Sequence, residues 1–235
     1  MWPGRSDERS AQNLDRTRAA VHALSALVRH LGGAHPCGRN SDLSDLALSH
    51  DRNIGPRVAA WAAAHHDRLV ATQVLYTVGV ASWFVFAGAV WTCLRNRLPA
   101  SSPLAAGFGV GFVGCATLIL SGFTVFDLLL YRSRSAELST LLYDLAFGLL
   151  AMSGIPTVVA LGCFAAAVYR HHVLRRSTAH VAAVAAAGHV LRPVAFIAPA
   201  GPLSMQGFMV VWGIPLLLFA WIGHTAQAIT SRVSA

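Results

Sequence analysis

Apolar positions are gathered into a few long runs, and those runs set the architecture. From Leu69 to Leu94 there are 26 residues without Asp, Glu, Lys or Arg, bounded by Arg68 and Arg95 and containing Val74, Leu75, Trp83, Phe84, Phe86 and Trp91. A hydrocarbon core about 30 Å thick takes about 20 helical residues to cross, so this run predicts a membrane span. A second run, Pro103 to Tyr131, is interrupted only by Asp127 and is closed by Arg132 and Arg134. The third reaches from about Leu138 to Tyr169, with Asp144 near its start and Pro156 in its middle. Such a proline kinks the helix and releases a carbonyl one turn earlier, which a bundle accepts when a neighbour or water takes it up. The fourth, about Thr178 to Ala198, is mostly alanine and carries His180, His189 and Arg192. Its small residues suit a buried helix. Pro199, Gly201 and Pro202 divide it from a fifth run, about Met205 to Thr230, which contains Pro215. The fold class expected is all-α, a polytopic transmembrane helix bundle of about five spans occupying residues 61–235.

Residues 1–60 have a different pattern. They hold eight arginines, six acids and no long apolar run. A secretory signal would join a short basic start directly to an apolar core, and that order is absent. Ala20, Val21, Leu24, Leu27, Val28 and Leu31 recur at helical spacing among Arg18, His22, Arg29 and His30, which fits an amphipathic helix at the lipid surface. A weakly ordered tail, or a start codon placed too early, accounts for the segment equally well. Gly32, Gly33, Pro36 and Gly38 end the periodic stretch, and Ser41 to Pro56 is a polar linker.

Composition agrees with the runs. Of 235 residues 55% are hydrophobic and only 12% charged, with mean hydropathy +0.54. Soluble domains carry roughly a quarter charged residues, so the composition argues against an ordinary cytosolic enzyme and excludes a disordered or collagen-like chain. All 18 basic residues are arginine, the bias of a GC-rich coding sequence. The net charge of +8 comes from arginines scattered between apolar runs, not from a basic stripe with aromatics. It therefore points to membrane loops, with no nucleic-acid partner. One set of loops holds Arg95, Arg97, Arg170, Arg175, Arg176 and Arg232, the other Arg132 and Arg134. The positive-inside rule then favours an amino terminus outside and a carboxyl terminus inside, while the arginine-rich tail argues the opposite way.

The few charges inside spans are the candidate chemistry. Asp127 lies just before the loop at Arg132, Asp144 just after it, and Arg192 about seven residues before Pro199 on the same membrane side. The fourth helix runs back toward that membrane face, so these three are expected to share one layer whichever way the protein faces, with His189 one turn deeper beside Arg192. Intramembrane charges cost at least a few kcal/mol each unless paired or wetted, and they usually face the bundle interior. An interior cluster of Asp127, Asp144, Arg192 and His189 is thus expected, as a ligand anchor or proton pathway. One arginine cannot neutralise two carboxylates, which leaves one of them free to exchange protons. The structural alternative pairs Arg192 with one aspartate to align helices, the other snorkelling or pairing with Arg132 or Arg134.

Other motifs add little. His65 and His66 precede the first span beside Asp67, while His171, His172, His180 and His224 gather toward the opposite side. Their spacing matches no metal or haem signature, so no metal or cofactor is expected. Gly109, Gly111 and Gly114 form a G-x-G-x-x-G with no strand before it, an accidental match to the dinucleotide fingerprint. Gly107 and Gly111, and Ala183 and Ala187, instead suggest close helix packing. Cys37, Cys93, Cys115 and Cys163 are read as small packing residues with free thiols, and Trp61, Trp83, Trp91, Trp212 and Trp221 as interface or packing aromatics. No nucleophile and base pair, Walker loop or paired catalytic carboxylates occur, so no catalytic residue is assigned.

The run from Trp61 through His65 into the first span, the close at Leu94-Arg95, the segment Leu142-Tyr143-Asp144-Leu145 and the late Trp212 resemble small polytopic membrane proteins of actinobacteria. Among these is a family of domains of unknown function numbered in the four thousand three hundreds. The resemblance covers roughly residues 55–231 and rests on hydropathy layout. Such proteins often have an additional first membrane helix before the Trp61 region. The resemblance implies no reaction, substrate or site residues. Two functions are therefore expected from the residues: binding or moving a small solute or proton through the charge cluster, or serving as an assembly subunit packed against a membrane partner or a second copy.

Overall fold

The computed structural model describes residues 54–131, 135–198 and 200–233. The amphipathic stretch near Ala20, the linker, Cys37, Arg132, Arg134 and Pro199 lie outside them. The described residues form helices and turns only: α1 (Ile54–Ala64), α2 (His66–Arg95), α3 (Leu104–Tyr131), α4 (Ala136–Met152), α5 (Gly154–His171), α6 (Arg176–Val190), a 3-10 turn (Arg192–Phe196), a π turn (Met209–Gly213) and α7 (Ile214–Val233). Among the described residues five segments are long and apolar enough to cross a membrane: His66–Arg95, Leu104–Tyr131, Ala136–His171, Arg176–Phe196 and Met209–Ser231. Each contains most of one apolar run, because only a helix satisfies every backbone polar group without water.

Three spans are irregular, and each irregularity falls at a proline. Pro156 cannot donate to the Met152 carbonyl, and the third span divides into α4 and α5 at Ser153. Pro193 follows Arg192 and disfavours α geometry there, so α6 stops at Val190 and the chain tightens into the 3-10 turn. Pro215 is the second residue of α7, and the widened π turn precedes it. At 1.5 Å per residue, the 15 residues of α6 extend only about 22 Å.

Helix α3 is central, packing against α2, α4 and α5, while α6 lies between α5 and α7. Close approach of α3 to α5 depends on the absence of side chains. A Cβ on Gly111 would fall 2.7 Å from both the Ala160 nitrogen and the Pro156 oxygen, and one on Gly114 3.2 Å from Pro156 Cβ. The glycine face is therefore a packing face. The alanine face of α6 is rotated from the expected one: Ala179, Ala182 and Ala185 are buried, whereas Ala183 and Ala187 are exposed. Trp221 of α7 is fully buried against Phe86, Phe108, Phe112 and Phe164, with ring centroids 5.1 to 6.4 Å apart. It organises the largest core cluster. Exposed apolar side chains such as Val74, Val85, Val110, Leu141 and Leu216 cover the outside, as expected of a surface solvated by lipid.

Charge is divided between the two ends of the bundle. Among the described residues the acids Asp67, Asp127, Glu137 and Asp144 all belong to the end where α2 begins and α3 finishes. The opposite end carries Arg95, Arg97, Arg170, Arg175 and Arg176, with no acid among the described residues. There Arg97 donates to the Val173 carbonyl at 2.9 Å, tying the first loop to the turn after α5.

Candidate functional site

The first two proline breaks bring α4, α5 and α6 together around Arg192. At the first break Ser153 donates its hydroxyl to the Leu150 carbonyl at 2.7 Å, and Thr157 donates to the Ser153 carbonyl at 2.7 Å. Gly154 then lets the second break approach: a Cβ there would lie 2.8 Å from the His189 carbonyl oxygen and 2.9 Å from Arg192 Cβ. Two residues before the second break ends α6, Gly188 faces Ile214 and Leu217 of α7.

Arg192 is only 6% exposed and donates from one terminal nitrogen to Ser153 Oγ at 2.9 Å. Its Nε has no hydrogen-bond partner. Ser153 is the eighteenth of the 36 residues from Ala136 to His171, so the guanidinium is held halfway along the third span. His189 is fully buried. Its Nδ1 donates to the Ala185 carbonyl at 2.8 Å, an acceptor that fixes the proton on that nitrogen, and Nε2 has no partner. Thr157 Oγ1 also meets Cys115 Sγ at 3.0 Å, extending the polar group toward α3. Around Arg192 lie hydroxyls, a thiol and an imidazole, with no carboxylate in hydrogen-bond contact among the described residues.

The expected four-residue cluster is therefore only half present. Arg192 and His189 are together, but both aspartates are elsewhere. Asp127, in the last turns of α3, is exposed and hydrogen-bonded to Gln73, which also donates to the Phe123 carbonyl at 3.4 Å. Asp144 is exposed on α4 beside buried Tyr143. The reason is depth. With α6 ended early by Pro193, Arg192 sits level with Ser153, nine residues beyond Asp144 on the same span, or about 13 Å deeper. Neither aspartate forms an ion pair with Arg192 among the described residues, so the helix-aligning pair considered from the sequence is not formed there.

Sequence reasoning identified Arg192, His189 and the kink at Pro156, and missed Ser153, Gly154, Thr157 and Cys115. Pro193 was the available signal. Of the thiols, buried Cys115 and half-buried Cys163 form no disulfide, but Cys115 is also a hydrogen-bonding member of the site. Of the tryptophans, Trp221 is a core residue, while Trp212 remains 40% exposed as an interface position allows.

No family model matches the chain, and no curated protein or solved structure matches it.

Proposed function

We propose that this integral membrane protein is a multi-pass protein of the cell membrane that binds a small anion at Arg192 and His189 and moves it across. The observation that carries this reading is a buried guanidinium, halfway along a span, with an unpartnered Nε and no acid beside it among the described residues. A charge at that depth costs about 3 kcal/mol or more. An anion offsets that cost better than one neutral hydroxyl. Half-helix ends meeting at mid-membrane are also the architecture in which transporters place their substrates, and the proline breaks supply hinges for opening a site that is closed here. The proton on His189 Nδ1 is held by Ala185, so Nε2 joins the anion's partners only by taking up a proton. Anion uptake then brings one proton with it.

Chloride, nitrate and acetate uptake into proteoliposomes, read with internal pH, tests this. At least one of the three is expected to enter with acidification inside, and Arg192→Gln is expected to lower the rate by about tenfold or more, the loss of one charge-assisted contact. Absence of uptake with all three would count against it.

A second reading, an assembly subunit, has its own observation. Asp127 and Asp144 are exposed on spans, where a partner's cationic residue or a second copy can meet them. If Asp144→Asn splits a larger purified complex without changing uptake, the aspartates serve assembly and Arg192 serves the solute.

A further inference from the structure

We propose that the protein binds a phosphate group in a pocket at its arginine-rich end, between the start of α6 and the last turns of α7. Arg175, His224, Gln227, Ala228 and Ser231 line a cavity of about 140 Å³. That is several times the roughly 30 Å³ share of one water, room for a tetrahedral oxyanion.

The lining has the chemistry such a group needs. Arg175 is the residue before α6, in extended conformation, and its side chain is exposed with no hydrogen-bond or ion-pair partner among the described residues. Its planar fork of donors matches phosphate oxygens. His224 Nε2 lies 3.0 Å from Ser177 Oγ, which ties α7 to the first turn of α6 and sets the width of the pocket. Gln227 and Ser231 are exposed on the same stretch of α7; the amide supplies further donors, and the serine hydroxyl, now on the Ala228 carbonyl at 3.3 Å, can turn to an incoming oxygen. Buried Ala228 forms an apolar floor.

The surroundings favour an anion at long range too. This end holds Arg95, Arg97, Arg170, Arg175 and Arg176, and the acids among the described residues are all at the other end. The uncapped start of α6 adds positive potential. A phosphate reaches such a place either as the headgroup of an anionic lipid or as a free ion, and the pocket chemistry is the same for both.

The test uses the full chain in nanodiscs of equal phosphatidylglycerol and phosphatidylcholine, with lipids that remain bound after detergent exchange counted by native mass spectrometry. A second arm measures melting in neutral detergent with and without inorganic phosphate. Retained phosphatidylglycerol that falls about tenfold in Arg175→Gln and Gln227→Leu, and not in Arg170→Gln outside the pocket, supports the proposal with a lipid source. Phosphate-dependent stabilisation lost in the same two variants, without lipid selection, supports it with a free source. Lipid retention and phosphate response both unchanged in the two pocket variants, or both absent from the wild type, would overturn it. Because Arg175 and Gln227 are exposed, the variants are expected to melt as the wild type does in phosphate-free detergent, which separates lost binding from lost folding.

Discussion

Arg192→Met is expected to fold, and to be more stable than the wild type in anion-free detergent by about 1 to 3 kcal/mol. Exchanging a buried charge for an apolar side chain of similar length removes the desolvation cost and keeps the volume. Only one hydrogen bond of Arg192, to Ser153, is surrendered, and Ser153 keeps its bond to Leu150. The same variant loses any stabilisation by chloride or acetate. Thermal melting with and without these anions reads both effects. A variant that is markedly less stable in anion-free detergent would show that the guanidinium is a structural clamp whose interactions outweigh its burial cost. Arg192→Ala is a poorer probe, because it also leaves a cavity.

Gly111→Leu is expected to do the opposite and disrupt the bundle. A single Cβ at this position already meets two backbone atoms of α5 at 2.7 Å, and backbone cannot rotate away as a flexible side chain can. Overpacking of a core costs about 1 to 3 kcal/mol and occasionally more; separating α3 from α5 along their shared face belongs at the upper end. The effect should extend to function, since α5 carries Thr157 and begins beside Arg192. Gly162→Ala is the control, as nothing lies within 4 Å of its added Cβ and alanine favours helix by about 1 kcal/mol. Titration with a denaturing detergent should show Gly111→Leu unfolding well before the wild type and Gly162→Ala at or beyond it. Equal midpoints for Gly111→Leu and the wild type would contradict the α3 and α5 packing.

How much of this was legible in the sequence differs from one element to the next. The spans were, because runs such as Leu69 to Leu94 lack charge for longer than a bilayer is thick, and nothing in tertiary packing can alter that count. The glycine face of α3 was legible for a similar reason: four-residue spacing of Gly107 and Gly111 places both on one side of any helix. The alanine face of α6 was not, since nearly every position there is small and the pattern selects no direction; burial of Ala179, Ala182 and Ala185 follows from what α5 and α7 present.

The candidate site was half legible. Scarcity of charge singled out Arg192, but its depth depended on where α6 ends. Counting back from Pro199 placed it near the membrane face, in a layer with Asp127 and Asp144. Pro193 ends the α-helix earlier, and the guanidinium consequently reaches Ser153 at mid-span. Ser153 and Gly154 were hidden because serine and glycine are ordinary in membrane helices; only the meeting of two breaks gives them a role.

The central claim is that the buried guanidinium at those breaks, with no carboxylate partner among the described residues, is an anion site. Crystals of the full chain grown in bromide test it most directly through the anomalous signal of that ion. A bromide peak within hydrogen-bonding reach of Arg192 Nε and Ser153 Oγ, absent in Arg192→Met, is the predicted result. An empty position there, with Arg192 instead paired to Asp127 or Asp144, would contradict it.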